Sequence, residues 1–392
     1  MLSLSTLAFL ASPAGENLLS SLANEDLSDA NTLRLLTSLR KDHSPEDAGA
    51  ALELARLRQK AVEKFGDDAQ RMFFTREALE QASDPLIRHY RSTFVNGLRV
   101  VDVGCSIGSD ALAFARGGAD VLGIDNDPLR IEMARLNVAA LSISNIRFEV
   151  RDAREPLPDA DLVFFDPARR DSAGKRIFDV ERYQPPLSII KGWSAPQIWV
   201  KLSPGVDLDQ LRSYGGTVEF ISVEGDLKEA VLRLSQGEGN TYTATLLLSN
   251  GEALHWSREG NSPLPTLSAP RAWLVEPDPA LIRAGLVTDA AHQWNGTQLE
   301  ETIAYITTDT SPDTAWARSW RILDWMPFNL KKLRAYLRER NVGNVTVKKR
   351  GTAVTPEVLI PQLKLEGNES RTLVLTRCRG EQVVLICQKF GK

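Results

Sequence analysis

The chain is poor in the residues that build disulfide frameworks and metal sites. Its 392 residues include three cysteines and four histidines, without the spacing that either kind of site requires. No apolar run is long enough to span a bilayer, and the apolar N-terminal segment lacks the positively charged start of a signal peptide. We therefore expect no disulfides, no metal, no membrane association and a cytoplasmic location.

The chain also lacks an overall excess of positive charge. Its formal net charge is −4 at pH 7, so the composition as a whole does not indicate a nucleic-acid partner. The charge is uneven, however, because residues 318–350 carry ten Lys or Arg against two acids, a net charge of +8. Such a segment is typical of contacts to a phosphate backbone. The alternative is a solvated helix face beside an edge strand protected by lysines.

The most informative segment is residues 99–127, which read RVVDVGCSIGSDALAFARGGADVLGIDND. An apolar strand is followed by a glycine-rich turn, a helix of good helix formers and a second apolar strand that ends at Asp125. An acid about 20 residues beyond the glycines is the usual partner of a nucleoside ribose. The segment therefore predicts a βαβ unit that binds a nucleoside.

The spacing of the glycines indicates which nucleoside this is. A dinucleotide site has the pattern G-x-G-x-x-G, but here Ser106 and Asp110 replace the second and third glycines around Gly104 and Gly108. Asp102 precedes the turn, where its carboxylate can face an ammonium group. This pattern favours S-adenosylmethionine over a diphosphate; the alternative is an ordinary buried βαβ unit with a tight turn.

Two more strands are predicted to end at candidate site residues. Residues 145–150 are followed by Asp152 and Ala153, and residues 161–165 by the sequence DPARR, which starts with Asp166 and Pro167. Ligands of open α/β sheets bind at the carboxyl ends of the strands. We therefore expect the acids at all four strand ends to lie at one ligand site; these are Asp102, Asp125, Asp152 and Asp166.

Composition predicts the order of the domains. Residues 1–92 read as a helical cap whose clearest helix is Pro45–Phe65, and residues 93–257 read as the α/β domain. A linker rich in Pro, Ser and Gly follows at residues 258–271. Residues 272–392 read as an α+β region that contains a module of ferredoxin-like proportions at about residues 318–392.

Several segments together resemble one bacterial family, the class I S-adenosylmethionine-dependent methyltransferases that carry a C-terminal THUMP-like domain. The segments include DVGCSIGSDALAFA, FFDPARR, WLVEPDPALIRAGL and VTVKKRG, and the likeness covers most of the chain. The resemblance implies a Rossmann-like sheet of seven strands, with Asp152 accepting a hydrogen bond from the adenine amino group. A THUMP-like module implies an RNA partner by analogy.

The resemblance also assigns a role to the turn that begins at Asp166. In related amino methyltransferases a (D/N)PPY turn accepts hydrogen bonds from the N–H groups of a base amine. These bonds draw the lone pair of the amine out of conjugation with the ring. Asp166 and Pro167 fit this pattern, but Ala168 replaces the second proline and Arg169 replaces the aromatic residue that stacks on the base. An arginine plane can stack on a base as well, and Phe178 or Tyr183 are alternative platforms.

Three cations are candidate substrate contacts: Arg169, Arg170 and Lys201. The alternative is that these cations pair with acids such as Asp179 or Glu181. The sequence thus predicts methyl transfer to a base nitrogen of tRNA or rRNA, with residues 318–350 holding the RNA. A protein or small-molecule substrate, with the C-terminal module as a lid or interface, remains the alternative.

Overall fold

The structure is a computed structural model that describes residues 2–169, 174–235, 241–258 and 263–388. Residue contacts divide the chain into two compact units. The first unit comprises Met1–Val218, Lys228–Thr241 and Ser249–Glu252, and the second comprises Glu219–Leu227, Tyr242–Leu248 and Ala253–Lys392. The domain limits given above rest on composition, and they stay predictions.

The first unit begins with helices, as the sequence predicts. Their bounds are α1 (Leu4–Leu10), α2 (Pro13–Leu22), α3 (Thr32–Leu39), α4 (Pro45–Phe65), α5 (Arg76–Gln81) and α6 (Pro85–Ser92). Helix α4 confirms the predicted helix at both ends. The Ser44 hydroxyl accepts a hydrogen bond from the backbone N–H of Asp47, and Gly66 ends the helix at φ +56°. Leucines and alanines on the inner faces of these helices form a buried apolar core.

Strands and two further helices follow along the chain. Their bounds are β1 (Arg99–Val103), α7 (Ser109–Arg116), β2 (Asp120–Asp125), α8 (Pro128–Leu141), β3 (Ile146–Val150), β4 (Leu162–Phe165), β5 (Gln197–Leu202), β6 (Thr217–Val223) and β7 (Asp226–Ser235). The sheet of the first unit has the order β3-β2-β1-β4-β5-β7. Strands β1 to β5 are parallel, whereas β7 pairs with β5 in the antiparallel direction. This sheet confirms the predicted Rossmann-like α/β class.

Burial explains why the central strands read as continuous apolar runs. Val100, Val101 and Val103 of β1 are all at most 3% exposed, because β1 lies between β2 and β4 inside the parallel sheet and both of its faces are covered. Residue Val101 lies opposite Leu122 of β2 on one side and Val163 of β4 on the other. This register aligns the carboxyl ends of β1, β2 and β4 along one edge of the sheet.

The second unit is built around a separate sheet of seven strands. Its elements are β8 (Thr241–Leu247), β9 (Ala253–Ser257), β10 (Trp273–Pro277), α9 (Pro279–Arg283), α10 (Val287–Gln293), β11 (Thr297–Glu300), β12 (Ile303–Thr308), β13 (Ala317–Pro327), α11 (Leu330–Glu339), β14 (Val342–Lys349), α12 (Pro356–Leu363), β15 (Glu369–Cys378) and β16 (Glu381–Gln388). The order of this sheet is β11-β12-β10-β13-β16-β15-β14. Only β14 and β15 are parallel among the pairs described within it.

Helix α11 lies within the basic segment. Asn329 caps its N-terminus by accepting a hydrogen bond from the backbone N–H of Lys332 (3.1 Å). Leu333 and Leu337 lie one turn apart and are buried against apolar side chains of β15 and β16. The opposite face of α11 is left to its charged residues.

The segment predicted as a linker pairs with strand β11. The backbone N–H of Gln298 donates to the carbonyl of Thr266 (2.9 Å), and the N–H of Ser268 donates to the carbonyl of Gln298 (3.1 Å). Residues 259–262 of this segment lie outside the described ranges. Its proline-rich composition therefore does not prevent the described part from adding to the sheet of the second unit.

Candidate active site

Four acids follow the ends of four neighbouring strands, as the sequence predicts. Asp102 is the penultimate residue of β1 and Asp125 is the last residue of β2. Asp166 directly follows β4, and Asp152 lies two residues beyond the end of β3. Because these strands are parallel and adjacent in the order β3-β2-β1-β4, their carboxyl ends share one edge. The fold therefore brings the four acids to the same side of the sheet.

The turn after β1 passes very close to the strand that carries Asp166. Gly104 has a φ of +78°, and a Cβ atom there would lie 2.7 Å from the backbone oxygen of Asp166. Gly108 has a φ of +82°, and a Cβ atom there would lie 2.9 Å from the ring of Phe148. Both the backbone conformation and the space therefore require glycine at these positions.

Asp125 fixes the conformation of this turn. One carboxylate oxygen accepts a hydrogen bond from the backbone N–H of Ser106 and the other from that of Asp127, both at 3.0 Å. Burial raises the pKa of Asp125, although these two hydrogen bonds favour the ionised form. A carboxylate has about four acceptor positions, so Asp125 can also accept hydrogen bonds from a ribose.

Asp102 is a buried acid with an unused oxygen. It is 1% exposed, and its Oδ2 atom has no hydrogen-bond partner among the residues that the structure describes. Burial, with the nearby carboxylates of Asp110 and Asp166, raises the pKa of Asp102 well above its ordinary value. An unpaired buried carboxyl is unfavourable, and an ammonium group beside it would remove this cost.

Asp152 is more open than the other acids and has partners of its own. Its Oδ1 atom accepts a hydrogen bond from the backbone N–H of Arg154 (2.9 Å), and its Oδ2 atom pairs with the Arg154 guanidinium (3.2 Å). The neighbouring N–H of Arg151 donates to the carbonyl of Asp125, which joins the ends of β2 and β3. Ala153 is half-buried in the same turn.

The turn after β4 is held by backbone hydrogen bonds on both sides. The N–H of Asp166 donates to the carbonyl of Val103 (3.1 Å), and Pro167 is buried. Ala168 and Gln184 exchange two backbone hydrogen bonds, and the N–H of Ile177 donates to the carbonyl of Arg169 (2.8 Å). The chain after the turn thus folds back on it.

The structure distinguishes the two aromatic candidates near this turn. Phe178 is 64% exposed and follows the residue that bonds to Arg169, whereas Tyr183 is 2% exposed. Only Phe178 therefore offers its ring to a substrate. Arg169 is half-buried, and Arg170 lies outside the described residues.

Lys201 is predicted as a substrate contact, and the structure gives its ammonium group two partners within the protein. Its Nζ atom donates to Oδ2 of Asp166 (2.8 Å) and to the backbone carbonyl of Gln81 (3.3 Å). The side chain of Lys201 is 5% exposed, whereas that of Asp166 is 24% exposed. The lysine lies behind the carboxylate, and the carboxylate reaches the surface.

A buried ion cluster lies among the same strands. The guanidinium of Arg91 is fully buried, 3.3 Å from Oδ1 of Asp110 and 3.1 Å from Oε1 of Glu229. Ser83 bridges the cluster, because it accepts a hydrogen bond from Arg91 (3.0 Å) and donates one to Asp110 (3.1 Å). The cluster links helices α6 and α7 to strand β7.

The nearby cations lower the pKa of one acid of the cluster, Asp110, but do not outweigh burial at the other, Glu229. Burial opposes ionisation of Asp110, but the charges of Arg91, Lys201 and Arg88 outweigh it and lower its pKa. Burial dominates at Glu229 and raises its pKa, although Arg91 and Lys201 oppose this. Both acids, in turn, outweigh the effect of burial on Arg91 and raise the pKa of its guanidinium.

Sequence reasoning missed this cluster. Arg91 and Glu229 are 138 positions apart, so no local spacing connects them. The available signal was Glu229 itself, a charged residue directly before the apolar run Ala230–Leu232 of β7, where burial normally requires a partner.

The fold and the site together define a class I nucleoside-binding α/β enzyme. S-adenosylmethionine fits the residues present: the unpaired oxygen of Asp102 suits its ammonium group, Asp125 suits its ribose, and Ser106 and Asp110 stand where a dinucleotide site has glycines. The described residues contain no cluster of His, Cys, Asp and Glu that could hold a metal ion. Within the same ranges, no helix has the length and apolar character needed to cross a membrane.

Comparison with known proteins identifies the family. Two S-adenosylmethionine-dependent methyltransferases of Mycobacterium tuberculosis, described as uncharacterized, are 31% identical over 336 residues, which is 83% of this chain and 92% of theirs. The chain belongs to the S-adenosylmethionine-dependent methyltransferases, and its cofactor is S-adenosylmethionine. Three family models match parts of it: a methyltransferase domain at residues 94–181, a THUMP domain-like model at 317–389 and a domain of unknown function at 3–61.

A solved structure supports the fold over the whole chain. A crystal structure designated a methyltransferase, from Porphyromonas gingivalis W83, has a TM-score of 0.78 and 21% identity, and the match covers 99% of this chain and 98% of that one. A shorter match is the 23S rRNA (uracil(1939)-C(5))-methyltransferase of Shewanella woodyi, 34% identical over 77 residues, which is 18% of this chain and 17% of that protein.

Proposed function

We propose that the protein methylates a base nitrogen in RNA and that the basic segment 318–350 holds the RNA. The exposed charge of this segment is the observation that carries the proposal. Of its ten cations, seven are exposed: Arg318, Arg321, Lys331, Lys332, Arg338, Arg340 and Lys349. Contacts to phosphates supply most of the sequence-independent affinity for nucleic acids.

Only part of the basic segment is neutralised within the second unit. Glu276 pairs with Lys348 (2.7 Å) and with Arg350 (3.2 Å), and Glu339 pairs with Arg340 (3.1 Å). Lys331, Lys332 and Arg338 of α11 are exposed and can meet a polyanion, whereas the guanidinium of Arg334 donates to the carbonyl of Gln362. The THUMP domain-like match and the short match to an rRNA methyltransferase support the same class of partner.

The site suits a weakly nucleophilic amine as the methyl acceptor. The bound cofactor supplies an electrophilic methyl group, and the protein has to align the acceptor with it. We expect Asp166 to accept a hydrogen bond from an N–H group of the amine. This bond draws the lone pair of the amine out of conjugation with the ring. Pro167 fixes the turn, and Phe178 and Arg169 are the side chains beside it that can stack on a base.

The cysteines argue against methylation of a uracil carbon, which requires a cysteine nucleophile near the substrate. Cys105, Cys378 and Cys387 are all buried. Burial raises the pKa of the Cys105 thiol well above its usual range and raises that of Cys387 to about 12. This chain therefore differs from the rRNA relative, whose name specifies a uracil carbon.

A protein or small-molecule acceptor is the second candidate. The overall charge of −4 and the absence of an aromatic residue at position 169 favour it. In that case the second unit would act as a lid or an interface. The two candidates differ in salt dependence, because phosphate contacts make RNA affinity fall steeply with salt.

The experiment uses methyl-labelled S-adenosylmethionine, the purified protein and extract from cells that lack the gene. We expect ribonuclease to release the label, protease to leave it in place, and the Asp166→Ala variant to bind the cofactor without transferring the methyl group. The Asp179→Ala variant is the matched control, because Asp179 is exposed and lies outside the turn. Label that only protease or filtration removes would overturn the RNA proposal.

A further inference from the structure

Lys201 connects the proposed catalytic turn to the helical region of the first unit. Its Nζ atom lies 2.8 Å from Oδ2 of Asp166 and 3.3 Å from the carbonyl oxygen of Gln81, the last residue of helix α5. Strand β5 fixes the base of the lysine, because Val200 pairs with Phe165 directly before the turn. The ammonium group is thus held between a helix end and a carboxylate.

The end of α5 is a site where positive charge is favourable. A helix C-terminus exposes carbonyl oxygens with partial negative charge. Lys64 occupies the rest of this end, since its Nζ atom donates to the carbonyls of Leu79 (2.9 Å), Glu80 (3.2 Å) and Ala82 (2.7 Å). Two lysines therefore satisfy the end of one helix, but only Lys201 also contacts Asp166.

The carboxylate of Asp166 lies in surroundings rich in acids. Three other acids act on the same region: Asp102 on β1, Asp110 on α7 and Glu229 on β7. The cations that face it are Arg91, which already pairs with Asp110 and Glu229, and Lys201. Among the described residues, Lys201 is therefore the cation that directly contacts Asp166.

We propose that Lys201 is a positioning residue, which holds the Asp166 carboxylate turned so that its second oxygen faces the methyl acceptor. Among the described residues, no group hydrogen-bonds this second oxygen, Oδ1. A lysine suits this role because its three donors can serve the carbonyl and the carboxylate at once. The proposal rests on the proposed function, because that function gives Asp166 its role.

The main test removes the charge of Lys201 and keeps its length. The Lys201→Met variant is compared with Lys64→Met, which loses the same kind of bond to α5 but no contact with Asp166. The assay measures methyl transfer to total RNA from cells that lack the gene, as a function of pH, together with the affinity for S-adenosylmethionine.

We expect Lys201→Met to lower kcat at neutral pH about tenfold or more, and to move the acid limb of the pH profile upward by about one pH unit or more. The sign follows from the lost positive charge, because a carboxylate among other acids then binds a proton at higher pH. Cofactor affinity should change by less than about threefold. Lys64→Met should leave the acid limb where it is.

A conservative variant covers the case in which Lys201→Met does not fold. Lys201→Arg keeps the charge but places it on a planar group of different reach, so the acid limb should stay in place while kcat falls. A loss of activity by the same factor at every pH in Lys201→Met, with an unmoved acid limb, would overturn the proposal. So would full activity of that variant.

A measurement without substrate separates this proposal from the proposed function. With ¹³C-labelled aspartate, the signal of Asp166 is assigned from its absence in Asp166→Asn, and its titration is compared with and without Lys201. Titration at the same pH in wild type and in Lys201→Met contradicts the role of Lys201, whatever the substrate is. Full methyl transfer by Asp166→Ala contradicts the proposed role of Asp166, and the titration still reports on the pair.

Discussion

The sharpest prediction concerns the close approach of the turn after β1 to the turn after β4. A Cβ atom at Gly104 would lie 2.7 Å from the backbone oxygen of Asp166, at a φ of +78°. Gly97 is a matched control, because its φ is +76° and a Cβ atom there would have no neighbour within 4 Å. Gly97→Ala tests the backbone conformation alone, and Gly104→Ala adds the collision.

The two costs can be estimated separately. An alanine in the left-handed region costs about 1–2 kcal/mol, which is the whole effect expected at position 97. Crowding in a packed region adds about 1–3 kcal/mol, so Gly104→Ala should lower the free energy of unfolding by about 2–5 kcal/mol. A backbone oxygen cannot rotate away, unlike the Phe148 ring beside Gly108, so the added cost should not relax fully.

Urea unfolding measures the free energy, and calorimetric titration measures the affinity for S-adenosylmethionine. We expect Gly104→Ala to weaken cofactor binding about tenfold or more, since it moves the turn that surrounds the ligand, and Gly97→Ala to leave binding unchanged. Equal destabilisation by the two variants, with equal cofactor affinity, would refute the close packing of the two turns.

Three further predictions test the charges of the structure. Arg91→Met should lower the free energy of unfolding by about 3–5 kcal/mol in urea, since it leaves Asp110 and Glu229 buried without their partner. Cofactor binding should release a proton and should strengthen as pH rises toward the raised pKa of Asp102, because a bound ammonium group favours the ionised form of this carboxyl. Calorimetry in buffers of different ionisation heat should detect the proton release in the wild-type protein and not in Asp102→Asn. Replacing three exposed cations of α11 by glutamine should reduce the slope of log affinity for RNA against log salt by about 2. The same replacement at three exposed cations of the N-terminal helical region should leave this slope unchanged. The first set is Lys331, Lys332 and Arg338, and the second is Arg40, Lys41 and Lys60.

Features that depend on neighbouring residues could be predicted from the sequence. Helix α4 begins and ends where Ser44, Pro45 and Gly66 indicate, because caps act within one turn. The acids at the strand ends could be located for a similar reason. Each lies at or within two residues of the end of a predicted strand, and parallel strands bring these ends to one edge.

Features that depend on distant residues could not be predicted. The position of Lys201 at the end of β5 suggested a substrate contact, but the direction of its side chain depends on how β5 packs against α5 and β4. The ion cluster of Arg91 joins three parts of the chain that share no motif. Composition predicts a linker at residues 258–271, but it does not indicate that Thr266 and Ser268 of this segment bond to Gln298.

The most direct test of the site is a crystal structure of the protein with S-adenosylhomocysteine, the product form of the cofactor. We expect its amino group within hydrogen-bond distance of Asp102, its ribose hydroxyls on Asp125, and its sulfur facing the turn at Asp166. Density for the ligand at another place on the molecule, or a bound ligand whose sulfur points away from Asp166, would contradict the account.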